Sequence, residues 1–290
     1  TADPLANTSP EAGSHDPSDW VGDVPNISDD EIVETIDTEF LVIGAGTGGL
    51  FAACAAGDAG METFVMEKFN GGVVRDDLAG VNSRLQQESG YEIDAIGYLR
   101  DMDHYAAGQC NLALHKVWLE RSGETIDWYE SVIALWHEAA EEKHEVNYRH
   151  WATGHSPAWP VDGSLDGFTV LTDYAEKTGH VTFRYQTPMV SLTVENDRVT
   201  GAIGQGADGY IRVNASKGVL VCTGGYAANL DLLKQLQPHT TSIYAYNSAQ
   251  PGCEGDGIKA CLRVGAKMDE THSSMLFDRA SVPADSLGGA

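Results

Sequence analysis

Residues Thr38–Lys68 read TEFLVIGAGTGGLFAACAAGDAGMETFVMEK, and the fold turns on this stretch. Phe40-Leu41-Val42-Ile43 predicts a buried strand, and it runs straight into Gly44-Ala45-Gly46-Thr47-Gly48-Gly49. An Ala-rich helix (Leu50 to Gly60), a second strand (Glu62 to Met66) and then Glu67 follow. Strand, tight turn, helix, strand and acid is the order that holds a dinucleotide. Gly44 permits the turn, and Gly46 lets the backbone approach a pyrophosphate. Gly49 lets the helix lie against the sheet, the helix N-terminus faces the negative phosphates, and Thr47 and Gly48 join the cofactor-binding candidates. Glu67 ends the second strand, where it accepts hydrogen bonds from ribose hydroxyls. A glycine-rich turn in an ordinary α/β unit would leave Glu67 unexplained.

Working outward, 290 residues allow one large domain or two modest ones with a sizeable core. The charge balance narrows the partners. Eighteen Lys and Arg against 43 Asp and Glu give a formal net charge of −25. Nucleic acid is excluded as a partner, because phosphate binding relies on Lys and Arg releasing counterions. Anionic membrane surfaces are disfavoured for the same reason, and a carboxylate ligand would need local positive charge. No apolar run approaches the ~20 residues of a membrane span, and no intact signal peptide opens the chain. The five cysteines (Cys54, Cys110, Cys222, Cys253, Cys261) lack the spacing of a metal or haem site and read as structural thiols, so no metal is expected.

Residues 1–37 form an acidic leader, expected to be largely flexible. The first 39 residues hold eleven acids and no Lys or Arg. Beyond Glu67, the stretch from Phe69 to Gly90 carries Gly71, Gly72 and Gly80 among small polar residues. It reads as backbone lying along an extended ligand, or as a plain surface loop. Helical spacing predicts helices over 98–109, 111–122 and 124–143. An irregular segment, 147–167, follows with His150 and His155 in a setting able to line a pocket. Strands are expected over 182–185, 189–195, 199–205 and 210–213. A last, wholly apolar strand, Gly218 to Cys222, reads as buried on both faces and ends at Thr223-Gly224-Gly225. Helices over 230–237 and 258–264 flank a loop running from Gly252 to Gly257.

Three motifs now stand in order: the fingerprint at Gly44 to Glu67, Cys222-Thr223-Gly224-Gly225-Tyr226, and Gly255-Asp256-Gly257-Ile258. With Val190-Ser191-Leu192, they resemble the flavoprotein family of fumarate reductases and succinate dehydrogenases. Within it, the soluble, often exported bacterial reductases look closest, over roughly residues 18–275. The resemblance implies an α/β fold: a Rossmann-like FAD-binding domain with a mixed parallel sheet and an inserted β-meander over 38–238. The start of a capping domain would occupy 239–290. It implies non-covalent FAD, since Val73 to Leu78 contains no histidine. Gly44, Gly46 and Gly49 would hold the pyrophosphate, and Glu67 with Lys68 the adenosine ribose. Gly71, Gly72, Gly80 and Val81 would run beside the ribityl chain and flavin, and the Val190 backbone would meet the adenine. Thr223 and Gly224 would lie against the dinucleotide, and Asp256 near the flavin.

Family members are considerably longer, and their catalytic arginine and carboxylate-binding residues lie mostly beyond this chain. Where fumarate-reducing members carry His-Pro, this chain reads Met275-Leu276-Phe277-Asp278-Arg279. His150, His155 and Arg279 are the candidates for a proton donor. The implied function is FAD-dependent reduction of an activated carbon–carbon double bond, by hydride from flavin N5. The implied partners are a small-molecule substrate and an electron-donor protein or a missing C-terminal segment. A ketosteroid-like dehydrogenase working in the opposite direction, and a non-catalytic FAD-binding subunit, are the alternatives. The acidic leader and the resemblance together point to an exported protein, with the cytoplasm as the other option.

Overall fold

The structure is a computed structural model, and it describes residues 20–74, 78–134, 153–155, 166–241, 249–250, 252–269 and 272. Its strands are β1 (Ile32–Ile43), β2 (Thr63–Met66), β3 (Leu78–Ala79), β4 (Gly154–His155), β5 (Val181–Arg184), β6 (Met189–Glu195), β7 (Arg198–Gln205) and β8 (Tyr210–Val221). Its helices are α1 (Thr47–Asp58), α2 (Arg84–Glu88), α3 (Ala95–Tyr105), α4 (Leu112–Ala134), α5 (Gly167–Lys177), α6 (Leu230–Leu236), α7 (Pro238–Thr241) and α8 (Asp256–Arg263). The chain divides into two compact units. One comprises Thr1–Ala45, Glu62–Asn70 and Thr182–Ala290, and the other Gly46–Met61 and Gly71–Val181.

The first unit is built on a six-stranded sheet in the order β5-β2-β1-β8-β7-β6. β1 runs parallel to β2 and to β8, whereas β8, β7 and β6 form an antiparallel meander. Pairing places Ile43 opposite Met66 on one side and Val221 on the other, so three parallel strands end flush. The residues that follow, Gly44, Glu67 and Cys222, therefore emerge together at the carboxyl edge, where open α/β sheets bind ligands. Leu41, Ile43, Phe64, Met66, Ile211, Val213 and Ala260 share one core face. Each large side chain buried there contributes about 2 kcal/mol. An exposed ion pair contributes under ~1 kcal/mol, so the core decides stability.

Two expectations shift. Residues 32–37, read from composition as leader, form the first half of β1 and pair with β8 from Tyr210 onward. Their acids hide a run rich in β-branched residues (Ile32, Val33, Thr35, Ile36), and cations on β5 and β8 compensate the charge. Arg184 grips Glu34 through two 3.0 Å bonds, Arg212 meets Asp29 at 2.6 Å, and Lys217 meets Glu39 at 2.8 Å. β2 covers only Phe40–Ile43, so among the described residues the outer half of β1 is paired on one side alone. Secondly, α8, placed by sequence in a separate capping domain over 239–290, belongs to the sheet unit. Its Ala260 joins the sheet core and the helix packs on β6.

The Arg184 hydrogen bonds lower the Glu34 pKa from 4.5 despite an opposing desolvation effect. A depressed carboxylate contributes stability above its unfolded pKa and loses it as pH falls through the lower folded value. The pair is well exposed, so Glu34→Gln is expected to cost only about 0.5 kcal/mol at pH 7. Urea denaturation should show that difference closing at pH values below the folded pKa of Glu34.

The second unit packs α1 against α5 and contains the two-stranded ribbon β3–β4. α1 is made of small residues because its neighbours come close: a Cβ on Gly57 would stand 2.6 Å from Thr178 Oγ1. The Cys54 thiol meets the Leu171 carbonyl at 3.3 Å, and burial, with Asp58 nearby, pushes its pKa up to about 12. That thiol is inert, as a structural cysteine should be. The predicted helix break at Ser122–Gly123 is absent, and α4 runs unbroken through it. Gly123 instead lets another segment approach, since a Cβ there would lie 2.3 Å from the Val81 carbonyl oxygen.

Candidate functional site

In the sheet unit, contacts among residues of the three sequence motifs close a ring at the carboxyl edge. Gly44 takes φ 101°, and a Cβ on it would sit 2.5 Å from the Cys222 carbonyl oxygen. Its N–H donates to the Met66 carbonyl at 2.8 Å, and Cys222 N–H donates to the Ile43 carbonyl at 2.7 Å. Next along the ring, Ala45 N–H donates to Glu67 Oε2 at 2.6 Å, and Phe69 N–H donates to Glu67 Oε1 at 2.9 Å. Glu67 is 7 % exposed, and two main-chain donors fix its rotamer. A carboxylate has about four lone-pair sites. Two remain, which is what a ribose diol requires.

Lys68 continues the ring. Its Nζ lies 2.5 Å from Glu254 and 3.0 Å from Asp256, the first residue of α8. Burial pulls the ammonium pKa down, but the two carboxylates outweigh that effect and hold it above its usual value. Gly257 then packs on Thr223 so tightly that a Cβ would lie 2.0 Å from Thr223 Oγ1, and Thr223 returns the ring to Cys222 and Gly44. Gly255, at φ 85°, turns the chain into α8, and its N–H donates to the Gly225 carbonyl at 3.1 Å. Beside Thr223 and Gly224 a cleft of about 560 Å³ opens, walled by Tyr226, Ile258, Cys261 and Leu262. Val190 stands on β6, with β7 between it and β8, outside the ring.

In the helical unit, Gly46 caps α1 in extended geometry, ahead of Thr47, Gly48 and the buried Gly49. A Cβ on Gly46 would find no described protein atom within 4 Å. Gly71 lies against the Phe168 ring, and Gly72 follows outside any helix or strand. The bareness of Gly80 serves protein packing, since a Cβ would meet Ile126 at 2.7 Å. The N–H groups of Gly80 and Val81 are taken by the Thr153 carbonyl and Ser122 Oγ, at 2.8 and 2.9 Å.

His155, a proton-donor candidate from sequence, is 1 % exposed. Its Nδ1 lies 2.9 Å from the Thr153 carbonyl and its Nε2 2.7 Å from Ser83 Oγ. A carbonyl only accepts, so Nδ1 carries hydrogen and donates to Thr153, while Nε2 is engaged with the Ser83 hydroxyl. The residue pins β4 to the turn before α2. His150 and Arg279 lie outside the described residues.

Sequence reasoning quoted Cys222 and Gly257 within its motifs without giving either a role in the ring, and it missed Glu254. Gly257 sat in the quoted Gly-Asp-Gly motif and could have been found there. The other two act through a main-chain carbonyl and an ion pair across 186 residues, neither of which leaves a local pattern.

The ring fits a dinucleotide on its own geometry: a buried acid with spare lone pairs and glycines where backbones touch. Comparison with known proteins agrees. Residues 39–282 match a family described as FAD binding domain. The fumarate reductase (cytochrome) of Shewanella frigidimarina is 28 % identical over 248 residues, which are 82 % of this chain and 41 % of that protein. The open conformation of a flavocytochrome c3 fumarate reductase superposes with a TM-score of 0.65 at 25 % identity, over 81 % of this chain and 41 % of that one. A 3-ketosteroid-Δ4-(5α)-dehydrogenase from Rhodococcus jostii RHA1 shares the fold, with a TM-score of 0.67 at 20 % identity, over 83 % of this chain and 56 % of that one. The chain spans about two fifths of the length of the curated relative. With its family model spanning residues 39–282, this chain belongs to the FAD-binding domain family of the fumarate reductase flavoproteins, and its dinucleotide is FAD.

Proposed function

We propose that this chain is the FAD-holding part of an oxidoreductase that reduces an activated carbon–carbon double bond in an enoate-like substrate. The observation that carries the reading is Glu67: a carboxylate buried at the ends of three parallel strands and bonded to the backbone of the glycine turn. FAD, when bound, supplies hydride exchange at flavin N5, so the alkene gains hydride at one carbon and a proton at the other. Two electrons per turnover come from an electron-donor protein. The residues of this chain bind and orient: Glu67 the ribose, the turn at Gly44–Gly46 and the start of α1 the diphosphate. Thr223, Gly224 and Asp256 complete the carboxyl edge, and Val190 serves the adenine. The likeness to fumarate reductases supports an alkene as acceptor, and the span of two fifths of the relative's length supports a further segment or partner chain completing the substrate site.

Among the described residues no helix is long and apolar enough to cross a membrane. Together with the acidic N-terminal stretch, that supports an exported protein working on a diffusible substrate. The test is a visible spectrum and flavin stoichiometry of the purified chain, followed by dithionite reduction and addition of fumarate, other enoates or a ketosteroid. One FAD per chain, bleached and then reoxidised by an enoate, is the expected result. Reduction of the oxidised flavin by a saturated ketosteroid would reverse the assigned direction. Bound FAD without turnover in either direction would leave an FAD-binding subunit dependent on its partner. A purified chain with no affinity for FAD would end the reading.

A further inference from the structure

The ring at the carboxyl edge is short of positive charge for the ligand it fits. Glu67, Glu254 and Asp256 are three anions, and Lys68 is the one cation bonded to any of their carboxylates among the described residues. FAD brings a diphosphate, and the whole chain already stands at −25. Both bonds from Lys68 go to protein carboxylates, and they are not equivalent. Asp256 opens α8, where a negative side chain is favoured by the helix dipole. Glu254 precedes the helix and its side chain is 51 % exposed.

The loop carrying Glu254 does not depend on that side chain. Ala228 N–H donates to the Cys253 carbonyl at 2.9 Å, Asn229 Nδ2 donates to the Glu254 carbonyl at 3.2 Å, and Gly255 N–H donates to Gly225. Gly252 lies against the Phe69 ring, and Gly257 is seated on Thr223. Main-chain bonds and packing thus hold residues 252–257, leaving the Glu254 carboxylate free to be exchanged.

Resting on the FAD reading, we propose that Glu254 is an internal competitor for the cofactor: it occupies Lys68, and an anionic group of FAD takes its place. Lys68 is then the binding residue of the edge, Asp256 its fixed partner and Glu254 a brake on affinity. A staple and a brake predict opposite signs for Glu254→Gln. A staple would weaken binding when lost, whereas a brake strengthens it.

The test is fluorescence titration of the full chain, stripped of flavin, with FAD at low and high salt. Glu254→Gln is expected to bind FAD about tenfold tighter at low ionic strength, and the gain should shrink at about 0.5 M salt as the charges are screened. Lys68→Met is expected to bind about tenfold more weakly. In the Lys68→Met background, Glu254→Gln should lose most of its gain, because the competition runs through Lys68. An unchanged melting temperature in Glu254→Gln would show that the fold is untouched. Equal or weaker FAD binding by Glu254→Gln, or a gain that persists without Lys68, overturns the inference while leaving the FAD reading intact. Failure of the unsubstituted chain to bind FAD overturns both.

Discussion

Gly44→Val is expected to destabilise the chain by about 3 kcal/mol or more and to abolish FAD binding. Two costs add. An L-residue at φ 101° lies in left-handed territory, which costs about 1–2 kcal/mol. The new Cβ would also stand 2.5 Å from the Cys222 carbonyl oxygen. That carbonyl cannot move aside easily, because Cys222 N–H is bonded to Ile43 and β8 is paired with β1 up to Val221. Forcing extra atoms into such a contact costs typically about 1–3 kcal/mol more. Gly46→Ala provides the contrast. Its Cβ would meet no described protein atom, so urea midpoints should stay near those of the unsubstituted chain while FAD affinity falls. If Gly44→Val melted like the parent and retained flavin, the close approach of β1 and β8 would be wrong.

Glu67→Ala has the second large expected effect, and it acts by a different route. The substitution removes the acceptor from two main-chain N–H groups, Ala45 and Phe69, at a residue that is 7 % exposed. An unsatisfied buried donor costs about 1–3 kcal/mol, so a loss near 3 kcal/mol in stability is expected. With Glu67 proposed as the ribose acceptor, FAD affinity should also fall by about 100-fold or more in fluorescence titration. Glu67→Gln keeps one acceptor oxygen and should fall between the two. An affinity loss in Glu67→Ala with no change in the denaturation midpoint would mean that the carboxylate serves the ligand alone. The hydrogen bonds to Ala45 and Phe69 would then carry no weight.

Legibility from sequence followed the range of the interactions. The fingerprint could be read because its requirements are local: bare residues at a turn, an apolar run on each side, and an acid at a strand end. Gly44 and Glu67 stand where that reading put them, and so does the apolar end of β8. Charge misled where composition was averaged: Ile32, Glu34 and Ile36 face inward in alternation with exposed neighbours as a strand should, yet eleven neighbouring acids made the stretch read as leader. Gly123 misled because a glycine in a helix looks like an end, whereas here it makes room for the backbone at Val81 and Asn82. His155 drew attention as a titratable residue in an irregular segment, and its burial against Ser83 depends on partners 72 residues away. Glu254 had no signal at all, since an ion pair to Lys68 is set by the fold and not by spacing.

The outer half of β1 has one more implication. A strand with a bare flank offers its peptide groups to any other extended chain that drifts past, which is how sheets of separate molecules begin to stack edge to edge. Among the described residues, Glu34 with Arg184 laid across the gap makes that flank an unwelcoming template for another copy of the same acidic chain. An acid that disguises the strand in the sequence thus also protects it against aggregation.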